Sequence, residues 1–203
     1  MNFKTIIWVA VFVSALAWSA IEPHDRLTWW MEVIPALIGF VILLFTRKQF
    51  PLTPLVYVLI LIHAIILMIG GHYTYAQVPL GDWLSQLMGG ERNNYDKLGH
   101  LAQGFIPVMI AREILIRKKV VEVRGWLTFL LLSIVLAVSA FYELIEWWAA
   151  LLNGEAADAF LGTQGYIWDT QSDMFWAFCG AIMALLTLSK LHDRQIGALQ
   201  QEN

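Results

Sequence analysis

Apolar positions fill long runs along this chain, and polar positions break them at intervals that match a bilayer. A membrane span needs about 20 mostly apolar residues. Six stretches meet or approach that length: residues 5–21, 29–46, 54 to 70 or 75, 96–116, 126–152 and 168–188. Polar punctuation separates them. Pro23 breaks the loop after the first run, and Arg47-Lys48-Gln49-Phe50-Pro51 ends the second. A long polar connection follows the third, Arg117-Lys118-Lys119 and Arg124 close the fourth, and residues 153–166 form a glycine-bearing loop before the sixth. Within the long connection, Pro79-Leu80-Gly81-Asp82 predicts a turn, and Trp83 to Met88 predicts a short interfacial helix ended by Gly89-Gly90. Pro35 predicts a kink or a late start in the second span. Pro107 frees the carbonyl of Gln103, because proline has no N–H to donate one turn back. The fold class expected is all-α: a polytopic transmembrane helix bundle of about six spans. One domain occupies residues 1–190 and a polar cytoplasmic tail, a frayed or surface helix, residues 191–203.

Composition agrees. Hydrophobic residues make up 59% of the chain and charged residues only 14%, with mean hydropathy +0.62. Soluble domains carry about 25% charge. The formal net charge of −3 and the lack of a basic arm give no footprint for a nucleic-acid partner. The single cysteine, Cys179, precludes an internal disulfide. The first run is long for a signal-peptide core, and Trp18-Ser19-Ala20-Ile21-Glu22 is a poor cleavage site, so an uncleaved anchor is expected.

Charge also orients the spans. With six spans both termini share a side, and that side holds 10 of the 13 basic residues, the exceptions being Arg26, Arg92 and Lys97. Basic residues stay in the cytoplasm. A bacterial inner-membrane protein with cytoplasmic termini is therefore expected. The loops carrying His72, Asp82, Asp96 and Asp169 then face the periplasm.

The polar residues inside the spans are the candidate chemistry. Asp96, His100 and Gln103 fall at i, i+4 and i+7, on one face of the fourth helix. Ser139, Glu143 and Glu146 share a face of the fifth, and Asp169 and Asp173 a face of the sixth. His100, Glu146 and Asp173 each lie about four residues, or about 6 Å, below the same surface. Carboxylates at membrane depth need compensation. A bound metal, a shared proton, or pairing with Arg92 or Lys97 would supply it. The metal set expected is His72, Asp96, His100, Glu143, Asp169 and Asp173, with Zn or Mn for the mixed set and Mg or Ca for a carboxylate subset. The catalytic set expected is Glu143, Glu146, His100 and Asp173; Arg92, Asn94, Lys97 and Gln103 would hold substrate. The rival account of each group is local. Asp169 and Asp173 fit a helix N-cap, and Asp96 fits a cap or a pair with Arg92. Glu143 and Glu146 stand near a helix C-terminal end, where the dipole disfavours acids, so capping does not explain them. Of the two, Glu143 lies a turn deeper and should matter more. His63 reads as structural, and His24 and His192 as surface residues. Tyr142, Trp147, Trp148 and Trp168 read as an aromatic belt, as do Trp29 and Trp30.

Three motifs carry a resemblance. Asn93-Asn94-Tyr95-Asp96-Lys97-Leu98-Gly99-His100, Ser139-Ala140-Phe141-Tyr142-Glu143-Leu144-Ile145-Glu146-Trp147, and the run from Phe160 to Met174 resemble the bacterial inner-membrane family typified by YjdF. That likeness implies a location and no particular chemistry. Asp96, Lys97, His100 and Asp169 are also similar, more loosely, to VanZ-like membrane proteins of the cell envelope, although Asp173 stands where an asparagine would be expected.

Two functions fit these residues. One is a metal-dependent hydrolase-type enzyme acting on a membrane lipid or envelope substrate. The other is a carrier or sensor of a cation or proton. There is no Gly-x-Ser-x-Gly or His-Glu-x-x-His motif. The inner halves of the spans are apolar apart from Glu32, His63, Arg112 and Glu113, which favours a one-sided site.

Overall fold

The computed structural model describes residues 3–87, 90, 92–153 and 164–201, with no side-chain account of Arg124 or Asn153. The loop residues Glu155, Asp158 and Gly162 and the first four residues of the Phe160–Met174 motif therefore lie outside the described residues, as do Met88 and Gly89.

Among the described residues seven α-helices follow one another: α1 (Phe3–Ala20), α2 (Arg26–Thr46), α3 (Pro54–Tyr73), α4 (Pro79–Leu87), α5 (Tyr95–Arg117), α6 (Arg124–Asn153) and α7 (Asp169–Gln201). All but α4 are long enough to cross a bilayer, and α1, α2, α3, α6 and α7 are also apolar enough. Asp96, Lys97, Arg112, Glu113 and Arg117 set α5 apart, and its position explains how a bundle tolerates them. It packs against α3, α6 and α7, most extensively against α7, so its polar groups find protein rather than lipid. By contrast α1 buries only Phe12 and Ser19. The bundle is all-helical, with about six spans.

Local chemistry starts the helices where the sequence allows. The carboxylate of Asp25 accepts a hydrogen bond from the Thr28 amide at 2.7 Å, which caps α2 and holds this acid below its usual pKa range. Thr53 caps α3, with Pro54 in the first turn. Pro79 also opens a helix, so the turn expected at Pro79–Asp82 is instead the first turn of α4.

The α5–α7 crossing brings backbone against backbone. A Cβ on Gly104 would fall well inside van der Waals distance of the Ala177 carbonyl, and one on Gly180 would collide with the Leu101 carbonyl. Two backbones therefore touch through small residues, as in close membrane helix pairs.

Two residues at helix ends differ from expectation. The helix α7 continues to Gln201, the surface-helix form of the two expected for the tail, but His192, expected at the surface, is fully buried. The reason is a polar network on the side of the bundle where α5 ends. There Glu113 accepts from the backbone amide and hydroxyl of Thr53 at 2.9 and 2.7 Å, from Arg117 at 2.7 Å, and lies 3.0 Å from His192 Nε2. Arg112 reaches His192 Nδ1 and Asp193 at 3.2 and 2.6 Å. Similarly Trp29, expected in an interfacial belt, is buried because its indole N–H donates to Ser19 Oγ on α1 at 3.1 Å. Its neighbour Trp30 is exposed, as a belt residue should be.

Candidate functional site

At the opposite end of the bundle, the entry to α5 is clamped before its polar face begins. Asn93 donates through Nδ2 to the Val78 carbonyl and to Asp82, at 2.9 and 2.6 Å, while its Oδ1 accepts from the Tyr95 amide. The Asn93 backbone exchanges two hydrogen bonds with the Gln164 side chain, at 3.0 and 2.9 Å, tying α5 to the segment before α7. The Tyr95 hydroxyl donates to the Ile66 carbonyl of α3 at 3.0 Å. These contacts fix both depth and rotation of α5, and so aim Asp96, His100 and Gln103 inward.

His100 is the hub. Its Nε2 lies 3.4 Å from Asp96 Oδ1 and 3.9 Å from Asp173 Oδ2. Its Nδ1 lies 3.1 Å from Gln103 Oε1 and 3.9 Å from Glu143 Oε1. The tautomer that donates Nδ1–H to Gln103 would leave the Nε2 lone pair toward Asp96 and Asp173, the arrangement of a metal-ligating histidine. Two groups of side chains here could hold a metal ion: Asp96, His100 and Asp173, and His100, Glu143 and Glu146. In each, one ligand atom per residue lies within 4.8 Å of the others. The stripes of α5, α6 and α7 thus face one another, well inside the roughly 8 Å that shared coordination allows once side-chain slack is added.

Asp96, His100, Glu143 and Asp173 are 6%, 5%, 8% and 2% exposed, so solvent cannot neutralise them. Asp96 Oδ2, Glu143 Oε1, Asp173 Oδ1 and Ser139 Oγ are buried without a hydrogen-bond partner among the described residues. Buried polar atoms normally find one. Arg92 sits at the rim: Nη2 donates to Asp169 and lies 3.9 Å from Asp96, while Nε and Nη1 are also buried and have no hydrogen-bond partner among the described residues. Its guanidinium stands 5.0 Å from the centre of the Tyr166 ring. Asp169 is thus drawn to a cation from another element and is more than a helix cap. Asn94 Nδ2 donates to Ser85 Oγ at 3.0 Å, and its Oδ1 is another buried orphan.

Two candidates fall elsewhere. His72 turns its Nδ1 to the Ser19 carbonyl at 3.2 Å and stacks 4.5 Å from the Trp18 ring, in the α1–α3 interface. Lys97 is half-buried and forms no ion pair among the described residues.

The structure also adds residues. A cavity of 150 Å³ beside His100 is lined by Asp96, Gln103 and Glu146, and also by Glu32, Tyr75 and Tyr142. The Tyr142 hydroxyl lies 3.4 Å from Glu32 Oε2, and its ring lies 6.4 Å from that of His100, so Tyr142 lines the cavity and is not part of an outward belt. Glu32 belongs to this end of the bundle and not to the other half. Its distance of one turn from Trp29 and Trp30, at an outer helix end, was the available signal.

A polytopic helical membrane protein with a buried histidine–carboxylate centre near one surface is the class defined by this fold and site. The chain belongs to the family described as "Predicted membrane protein (DUF2238)", whose model matches residues 4–194. It is 54% identical over 181 residues to the inner membrane protein YjdF of Escherichia coli (strain K12), a match that covers 89% of this chain and 87% of that protein. No solved structure matches it.

Proposed function

We propose that this protein is a metal-dependent hydrolase embedded in the bacterial inner membrane, acting from the periplasmic side on a lipid or envelope substrate. The observation that carries this reading is the pair of ligand sets meeting at His100, with carboxylate oxygens of Asp96, Glu143 and Asp173 buried and unpartnered around it. Several acids with one nearby guanidinium are not balanced in a low-dielectric interior, and a divalent cation is the smallest addition that balances them. Asp96, His100 Nε2 and Asp173 would hold it. Mixed nitrogen and oxygen donors fit Zn or Mn, and the carboxylates alone fit Mg. When bound, such a cation lowers the pKa of a coordinated water. Glu143 and Glu146, on the other side of the ring, stand where a general base belongs. The free Nε–H and Nη1–H of Arg92 provide two donors for an anionic group.

The carrier alternative needs a polar route to the other membrane surface. The polar groups of the far half are occupied with one another, as the Glu113, His192, Arg112 and Arg117 contacts show. That supports a one-sided site.

Elemental analysis tests the metal. Purified protein supplied with Zn, Mn and Mg should retain about one divalent ion per chain, and Asp173→Asn and Glu143→Gln should each lower retention by about tenfold or more. Wild-type protein that retains none of the three metals would refute the reading. Orientation is tested separately. Alkaline phosphatase fused after Glu155 should be active, and after Lys119 inactive, and the reverse pattern would put the site in the cytoplasm.

A further inference from the structure

The cavity at His100 adjoins a second one. Pro35, His63 and Leu67 line it, and they also line a second, larger cavity of 480 Å³. This second space runs between α2 and α5, with α3 behind it. Gly39 and Leu43 of α2 face it from one side, and Ile110 and Ile114 of α5 from the other. The two flanking helices each pack on α3 and scarcely meet. A Cβ on Gly39 would touch nothing within 4 Å, so the space is open along its middle. Lining atoms are overwhelmingly apolar until Thr46 and Lys118 at its far end.

We propose that this groove holds the hydrocarbon tail of a lipid phosphate whose head lies between the His100 carboxylates and Arg92. The inference rests on the metal reading above for the head and on the groove alone for the tail. Three observations converge. First, the apolar groove and the polar cavity share Pro35, His63 and Leu67 as walls, so the two lie end to end. Second, the two free N–H groups of Arg92 call for an anion beside acids that would repel one, unless a cation bridges them. A phosphate oxygen is the group that takes a cation and a guanidinium together. Third, the length fits a tail rather than a headgroup. From Pro35 to Thr46 along α2 the groove measures about 16 Å at 1.5 Å per residue. Half the hydrocarbon core of a bilayer is about 15 Å. A tail seated here spans about one leaflet, which selects long chains.

The test uses full-length protein in phosphatidylcholine nanodiscs. The probe is hexadecyl phosphate carrying a photoreactive diazirine at the tail terminus. Cross-links should map to peptides containing Leu43, Thr46 and Ile114. Gly39→Phe fills the groove and should cut labelling by about tenfold or more, since each buried methylene adds to affinity. Its metal content and thermal midpoint should match wild type. Hexadecanol with the same tail label should label several-fold less than the phosphate. Labels on the outward faces of α1 and α6, or labelling unchanged in Gly39→Phe, would overturn the tail site. The wild-type map alone decides this if Gly39→Phe misfolds. Labels near Pro35 and Leu67 would mean that the head sits at Lys118, and would overturn the assigned direction. Equal labelling by hexadecanol would overturn the phosphate. Groove labelling in protein that retains no metal would leave the tail site standing and remove the metal reading.

Discussion

Gly104→Leu should cost the protein its fold in mild detergent, and even Gly104→Ala should lower its thermal midpoint sharply. The added Cβ has only the Ala177 backbone to meet, and both partners are held in helices. Overpacking a core usually costs about 1–3 kcal/mol because side chains at the contact can turn aside. Here no side chain stands in the way. The axes of α5 and α7 must separate, and every contact along the pair loosens with them. The expected cost therefore reaches or exceeds the top of that range. Gly39→Ala is the internal control: its Cβ meets open space, and replacing a helical glycine by alanine contributes up to about 1 kcal/mol in favour of folding. Thermal denaturation of the three proteins, followed by size-exclusion chromatography, measures the difference. A Gly104→Ala midpoint equal to that of Gly39→Ala would show that α5 and α7 are not in backbone contact.

Glu113→Ala should be nearly as damaging, for an electrostatic reason. The carboxylate has no exposed surface and serves Thr53, Arg117 and His192 at once. Removing one partner of a buried ionic network costs about 3–5 kcal/mol, because the remaining charge and donors stay desolvated. Glu113→Gln keeps one acceptor oxygen and should lose less. Since Glu113 stands 13 residues beyond His100 on α5, about 20 Å away, metal retention of the surviving folded fraction should be unchanged. Loss of bound metal in Glu113→Gln with an unaltered thermal midpoint would contradict the division between a structural end and a chemical end.

The spans were legible because bilayer thickness imposes a length on apolar runs, whatever the tertiary contacts. The inward faces of α5, α6 and α7 were legible for a related reason: lipid offers no partner to Asp96, Glu143 or Asp173, so helical periodicity alone says which way they turn. His192 was not legible. It sits in a polar stretch that resembles a surface helix, and only the crossing of α7 over α5 supplies Glu113 and Arg112 to bury it. Glu32 and Tyr142 escaped for the same cause, since their meeting depends on how α2 leans toward α6. His72 failed in the other direction. Its depth matched the site, but depth says nothing about azimuth, and α3 turns that residue toward α1. Sequence periodicity thus gives height and facing within one helix, while the angle between helices decides which equal heights become neighbours.

The unbroken length of α7 has a mechanical consequence. Asp173 and His192 stand 19 residues apart on a single rod, about 28 Å, and their respective partners His100 and Glu113 are carried by the other rod, α5. The two rods behave as a ruler fastened at both marks. Sliding one past the other breaks both fastenings together, and one residue inserted between the marks would rotate them by about 100° out of phase. Any motion that admits a lipid must therefore fall to the helices packed around this pair and not to the pair itself; on the cavity side Tyr142 of α6 and Glu32 of α2 meet at 3.4 Å.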